Sequence, residues 1–475
     1  MIDRQPPAAA RPSSDPAPTP RIDPPPFSEL EIADQLTGTI APGRSKVQPW
    51  QAWLLFLLTM SVVLSFADRG LTAILLDPIK ADLGLSDVQM SLMMGFSFSV
   101  VYSLAALPLG ALVDRLDRRR MIVIAILSWS LMTILCALAQ GFGQFLAGRM
   151  GLGIAEAVLG PAAFSLIRNS FPATQRGRAF AIFNSSHLIG TGSALLVGGS
   201  LFGFASHGGF AGVPLMGALH PWQQAMFVLG LVGLPFGLLV LTMREPKRNA
   251  PTGPAASASG FGDALRYAAR NKAVLLPFWA GVALFTLAQG GANWTSMVIH
   301  RSWDVPIPTI GRVLGPLQIV IGLVGSLTLG VIMDRVARRG RPDAPFIVCA
   351  VSLALSGIAM ALQFAISSLQ VAAVIYVLQI FFFAAHAVTA SAGLALIAPP
   401  ALAGKLQAIT GLAANLIGLA LGPTIVALVG EHVFSGPHAL HDAFVLVVVI
   451  AVALGVCMYM LVSRALHRQA RAPID

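Results

Sequence analysis

The chain has 475 residues, 56% of them hydrophobic and 11% charged, with a mean hydropathy of +0.75. A soluble domain carries about 25% charged residues, so this composition excludes a soluble globular fold and predicts a polytopic membrane protein. The net charge of +10 does not indicate a nucleic-acid partner, because the basic residues are sorted between alternate loops, as membrane topology requires.

Residues 1–49 hold no apolar core of signal-peptide length, and nine prolines fall within residues 6–26. They read as a disordered cytoplasmic tail. Twelve apolar stretches long enough to span a bilayer follow: 51–76, 88–113, 121–139, 142–170, 179–205, 223–243, 273–299, 308–333, 345–366, 370–397, 405–429 and 443–463. Six precede a Pro/Gly/Ser-rich stretch and six follow it. The expected organisation is an N-terminal six-helix bundle (50–243), a cytoplasmic linker with a short amphipathic helix (244–272), a C-terminal six-helix bundle (273–466) and a cytoplasmic tail (467–475). Loops after even-numbered spans carry the basic residues, among them Arg118, Arg119, Arg176, Lys247, Arg270, Arg338 and Arg339, whereas the other side has Lys80, Arg301 and Arg312. The positive-inside rule then places both termini in the cytoplasm. Cys136, Cys349 and Cys457 lie on different spans and read as small buried hydrophobes, neither a disulfide nor a metal set.

Span 1 carries Asp68 and Arg69, and span 4 carries Arg149 and Glu156. A charge at a helix centre costs about 2.5–3.5 kcal/mol on insertion scales, so such groups need partners, a water-filled cavity, or both. Their depths along antiparallel helices allow Arg69–Glu156 and Asp68–Arg149 contacts. A carboxylate there that loads a proton would free an arginine for an anionic substrate, with the proton as coupling ion. Asp68 and Glu156 are equal candidates for proton carrier. A permanent salt-bridge network that only orients two helices is the competing reading.

After span 2 the chain reads Gly110-Ala-Leu-Val-Asp114-Arg-Leu-Asp-Arg118-Arg119-Arg120, and after span 8 Gly330-Val-Ile-Met-Asp334-Arg-Val-Ala-Arg338-Arg339. An internal repeat at half the chain length predicts two related bundles with pseudo-twofold symmetry. The Asp of each copy can face a helix N-terminus and bias an alternating equilibrium. Gly110, Asp114, Arg118, Arg119, Gly330, Asp334, Arg338 and Arg339 are therefore expected to gate conformation. Small residues recur in span 5 (Gly190, Ala194, Gly198, Gly199) and span 11 (Gly418, Gly422, Pro423), where they let helices approach closely in lipid. Tyr102, Asn184, Gln289, Asn293, Trp294, His386 and Asn415 are candidate cavity-lining groups.

The repeated G-x-x-x-D-R-x-x-R-R motif resembles the signature of the major facilitator superfamily, with Asp117 and Ala337 where that signature has glycine. Phe66-Ala-Asp68-Arg69-Gly, Leu75-Leu-Asp-Pro-Ile-Lys80, Gly148-Arg149-Met-Gly-Leu-Gly-Ile-Ala-Glu156-Ala and Asn293-Trp294 are similar to the spinster-like branch. The resemblance implies the major facilitator fold, an all-α polytopic architecture of twelve transmembrane helices. It also implies proton-coupled movement of an amphipathic or lipid-like molecule through the span 1 Asp–Arg and the span 4 Glu. The anion:cation symporter branch, which carries small organic acids, shares the span 1 and span 4 motifs. A receptor or scaffold of this fold would not need Asp68 or Glu156. No H-E-x-x-H, nucleophile elbow or nucleotide loop occurs, which argues against a membrane enzyme or primary pump. The expected partners are a small-molecule substrate and membrane lipids; the expected form is a monomer in the plasma (inner) membrane, with neither cofactor nor metal.

Overall fold

The structure, a computed structural model, describes residues 47–471 apart from residues 114, 247–260, 342, 367, 400–401 and 437. The N-terminal tail up to residue 46, the middle of the linker and Asp114 thus lie outside the described residues. Twelve membrane-length elements run in order: α1 Pro49–Ile74, α2 Asp87–Val113, α3 Arg118–Ala137, α4 Phe142–Ser170, α5 Thr174–Ser206, α6 Pro221–Thr242, α7 Lys272–Trp303, α8 Ile307–Arg338, α9 Ala344–Gln363, α10 in the two segments Leu369–Phe383 and Ala385–Ile397, α11 Ala403–His432 and α12 Ala439–Arg468. Eleven are individually long and apolar enough to cross a membrane; α10 falls short only through its interruption at Ala384. In lipid every backbone N–H and C=O needs an internal partner, so apolar stretches of this length close into helices.

Local chemistry sets the ends and bends. A Ser86/Gln89 capping box starts α2, and Asp117 caps α3 by accepting from the Arg120 N–H at 2.7 Å. Gly84, at φ +63, ends the short helix Leu76–Leu83 that precedes α2. The helix of α4 breaks at Ala157–Val158, because Pro161 has no N–H for the Ala157 carbonyl. Both α2 and α11 contain a π-helical turn, at Leu92–Phe96 and Ala414–Leu419. A short helix, Phe261–Arg270, lies in the linker; it buries Ala264 and Ala268, exposes Phe261 and Leu265, and donates the Tyr267 hydroxyl to the Ile397 carbonyl at 2.8 Å.

The two sets of six helices pack alike. The pairs α1–α5, α3–α4, α3–α6 and α2–α4 have counterparts six places on in α7–α11, α9–α10, α9–α12 and α8–α10. Between the sets, α5 crosses α8 and α11 meets α2. Each crossing helix uses two small-residue faces. On α5, Gly190 and Gly198 lie against Val63, Phe66 and Leu71 of α1, while Gly192, Gly199 and Gly203 lie against Gly315, Gly311 and Pro308 of α8. On α11, Gly418 and Gly422 lie against Thr286 and Leu287 of α7, and the Leu419 carbonyl, left without its helical donor by Pro423, faces Gly95 of α2. Polar links join the halves at the end of the α1–α2 loop: Arg301 pairs with Asp77 at 2.7 Å, the Val88 N–H donates to Glu431 at 3.1 Å, and the Ser91 hydroxyl donates to Thr424 at 3.3 Å.

Candidate functional site

Helical phase divides the two charges of α1. Ser65 and Arg69, one turn apart, share a face toward α4; Asp68 points to α3. Glu156 is the last helical residue before the α4 break, and its side chain is fully buried while that of Arg69 is 23% exposed. One carboxylate oxygen, Oε2, collects the Arg69 Nε–H at 2.8 Å, a second guanidinium N–H from Nη2, and the Ser65 hydroxyl at 2.6 Å. The other, Oε1, is buried without a partner. The guanidinium lies over three rings, with Cζ 4.7 Å from the centroid of Phe66, 4.2 Å from Phe98 and 5.4 Å from Tyr102. Aromatic faces of this kind attract a cation without neutralising it. His187 of α5 stacks on Phe66 at 4.6 Å. The result is a partly exposed guanidinium with a single buried counterion behind it.

The second pairing read from the sequence does not form. No ion pair joins Asp68 and Arg149 among the described residues. Asp68 Oδ2 accepts from the Thr133 hydroxyl, and Oδ1 has no partner. Arg149 donates Nε–H to the Met93 carbonyl at 3.2 Å, leaving Nη1 unpartnered. The cause is the π turn of α2, whose wider register presents Met93 to Arg149. Asp68 and Arg149 are buried, at 3% and 1% exposure, whereas the Arg69 side chain is 23% exposed.

The loop repeats diverge. Arg118, 1% exposed, donates to Glu245 at 2.7 Å, to the Ser165 hydroxyl at 2.9 Å and to the Pro246 carbonyl at 2.8 Å. The Arg119 N–H adds a bond to Glu245 at 3.0 Å. Together they clamp the start of the linker to α3 and α4. A Cβ at Gly110 would stand 3.9 Å from Pro161 Cγ, so the two residues face each other. In the second copy, Gly330 is half-buried, Asp334, Arg338 and Arg339 are exposed, and Arg338 donates to the Asp334 carbonyl of its own helix. Equal spacing therefore does not give equal contacts.

Of the candidate cavity groups, Tyr102 stacks on Phe98 beside Arg69, Asn184 and Gln289 are exposed, and Asn293 and Asn415 are half-buried. Trp294 and His386 are placed differently from expectation. Trp294 is fully buried and donates to the Pro423 carbonyl at 3.2 Å. His386 is stacked on Phe285, with ring centroids 3.5 Å apart, and bonded to the Tyr459 hydroxyl. Both belong to side-chain packing inside α7–α12, where the Trp294 indole N–H finds a carbonyl and the His386 imidazole shares a hydrogen bond with the Tyr459 hydroxyl. Sequence reasoning missed Ser65, Thr133 and Glu245. The signals were present: Ser65 lies one turn before Arg69, and Glu245 is the acid directly after α6 in a basic loop. The formal charges of α7–α12 lie within about two turns of a helix end, so the charged middle of the molecule belongs to α1 and α4.

The profile of the Major Facilitator Superfamily matches residues 58–423. An MFS-type efflux pump of Mycolicibacterium smegmatis is 26% identical over 312 residues, 65% of this chain and 68% of the pump. Protein spinster homolog 1 of Homo sapiens is 28% identical over 351 residues, 68% of this chain and 62% of that protein. A probable galactarate/D-glucarate transporter of Bacillus subtilis is 25% identical over 320 residues, 61% of this chain and 66% of the transporter. Each alignment thus spans about two thirds of the relative's length. Among solved structures, a bacterial homolog of the human lysosomal transporter spinster, inward-facing and unoccupied, superposes with a TM-score of 0.77 at 22% identity, covering 90% of this chain and all of that one.

Proposed function

Since this chain belongs to the Major Facilitator Superfamily and is a membrane transporter, we propose that it moves an amphipathic, lipid-like small molecule by proton-coupled alternating access. The single observation behind this reading is the asymmetric pair at the centre, a partly exposed Arg69 whose counterion, Glu156, is fully buried. Protonation of Glu156 leaves Arg69 to bind an anionic headgroup entering the cavity; release of the proton restores the pair and expels the headgroup. Asp68, on α1 and buried against Thr133 of α3, is the second candidate for proton carrier. The concentration of charge on α1 and α4, opposite a C-terminal half charged only toward its helix ends, suits a molecule with one charged and one apolar end. Similarity to spinster relatives in sequence and fold supports the same class.

Rocking of 50–243 against 273–466 carries the site from one side to the other. The contacts that tie the halves at the α1–α2 loop end support a conformation in which the site opens toward the basic end. That end lies in the cytoplasm of the plasma membrane under the positive-inside rule, and the protein works as a monomer with the proton as its coupling ion. Small organic acids are the second reading, favoured by the relative named for galactarate and glucarate.

The test is uptake into proteoliposomes under an imposed pH gradient, comparing wild type, Glu156→Gln and Asp68→Asn with lysolipids, sphingoid bases and aldarates. Gradient-driven transport of a lipid that is lost in Glu156→Gln, in protein that still folds, is expected. Wild-type pH dependence in both variants overturns the proton role, and transport confined to aldarates moves the assignment to organic acids.

A further inference from the structure

Remote from the Arg69–Glu156 pair, the basic ends of α7 and α12 flank an open recess of about 420 Å3 lined by Ala273, Pro277, Leu461, Arg464, Ala465 and Arg468. Arg464 and Arg468 are exposed and one helical turn apart, so they project from the same face. Neither takes part in an ion pair among the described residues. Asp343, the buried carboxylate packed on α12, is taken by Arg341, the Ser463 hydroxyl and His467. Pro277 has no N–H for the Ala273 carbonyl one turn earlier, so a backbone acceptor on the recess wall lacks its usual helical donor.

The face bearing the two arginines continues into the membrane as Leu461, Cys457 and Leu454, all exposed. Positions 454, 457, 461, 464 and 468 follow the three–four spacing of a single helix face. Leu276 of α7, 57% exposed, adds to the apolar surface beside them. About 15 Å of helix rise separates Leu454 from Arg464, one leaflet's share of a bilayer core about 30 Å thick. A soluble phosphate would use the arginines and leave this stripe unused. A phospholipid uses both.

We propose that this recess is a binding site for an anionic phospholipid. Arg464 and Arg468 hold the phosphate, a headgroup hydroxyl donates to the Ala273 carbonyl, and one acyl chain lies along Leu461, Cys457 and Leu454. The site is separate from the transport site and does not depend on which substrate is carried.

The experiment uses the full chain in detergent, titrated with phosphatidylglycerol or with phosphatidylcholine of the same acyl chains. Thermal unfolding and native mass spectrometry read binding. Phosphatidylglycerol is expected to stabilise the protein and to be retained, and Arg464→Gln/Arg468→Gln is expected to weaken its binding about thirty-fold. Arg120→Gln/Arg178→Gln, which removes two exposed charges elsewhere at the same end, is expected to leave it unchanged. Ala465→Trp fills the recess while keeping both charges, and is expected to abolish retention. The unfolding temperature without lipid reports that each variant folds. The proposal is overturned if phosphatidylcholine binds equally, if both double variants weaken binding alike, if Ala465→Trp still retains phosphatidylglycerol, or if inorganic phosphate reproduces the full stabilisation.

Discussion

Gly311→Ala tests the closed crossing between the halves. A Cβ at Gly311 would stand 2.2 Å from the Leu195 carbonyl oxygen and 2.9 Å from Gly199 Cα. A relaxed carbon–oxygen contact needs about 3.3 Å, so α5 and α8 must part by about 1 Å at this level. Neither neighbour can yield as a flexible side chain would, since both atoms are backbone within helices. Overpacking of this kind costs about 1–3 kcal/mol. If the crossing closes only when the site faces the basic end, that cost falls on one state and shifts the population about 5- to 150-fold toward the other. Spin labels at Ser206→Cys and Ser302→Cys, exposed at the tied end, in a Cys457→Ser background, report the separation. A grown long-distance population is expected in Gly311→Ala. An unchanged distance distribution in folded protein, with or without a lower unfolding temperature, would refute the reasoning, because the clash would then have been absorbed without opening the halves.

Three further outcomes follow from the geometry. Pro161→Ala returns an N–H to the Ala157 carbonyl, straightens α4 and turns Glu156 away from Arg69; substrate binding should lose its pH dependence, and a wild-type pH profile would show that the break does not position Glu156. Glu245→Gln leaves the buried Arg118 without its carboxylate; because Glu245 is itself 22% exposed, the loss should be about 1–3 kcal/mol, below that of a fully buried pair, and limited proteolysis should cut residues 247–260 faster. Asp343 lies just outside α9: burial raises its pKa, but hydrogen bonds from Arg341 and Ser463, together with the His467 charge, outweigh this and hold it below the ordinary carboxylate value. Its contribution is therefore complete above about pH 4 and lost as pH falls through the lower folded value. Asp343→Asn should be less stable than wild type at pH 7 and show a flatter acid limb below about pH 4, measured by thermal unfolding across pH 3–7; parallel curves would contradict the assignment.

The spans and the four intramembrane charges are legible in the sequence because both depend on one-dimensional quantities. A helix needs only a long enough apolar run, and a charge in such a run is conspicuous by its cost. Arg69–Glu156 also follows from depth and helix direction, since a one-turn face carries Ser65 and Arg69 toward α4. Asp68 and Arg149 part company for a reason no linear reading contains: the π turn at Leu92–Phe96 and the position of Thr133 on α3 supply nearer partners. The same holds for the loop repeat. Arg118 and Arg338 are equivalent letters at equivalent spacing, yet among the described residues Arg118 alone of the two meets an acid, because Glu245 follows α6 within reach of α3. Trp294 and His386 look like cavity groups until the packing of α7, α10, α11 and α12 encloses them. Composition and periodicity determined that this chain crosses the membrane twelve times and carries charge at its centre. The rotational phase of each helix and the breaks at Ala157–Val158, Ala384 and the two π turns decided which charges meet, because contacts between helices depend on angles that span length and hydropathy do not encode.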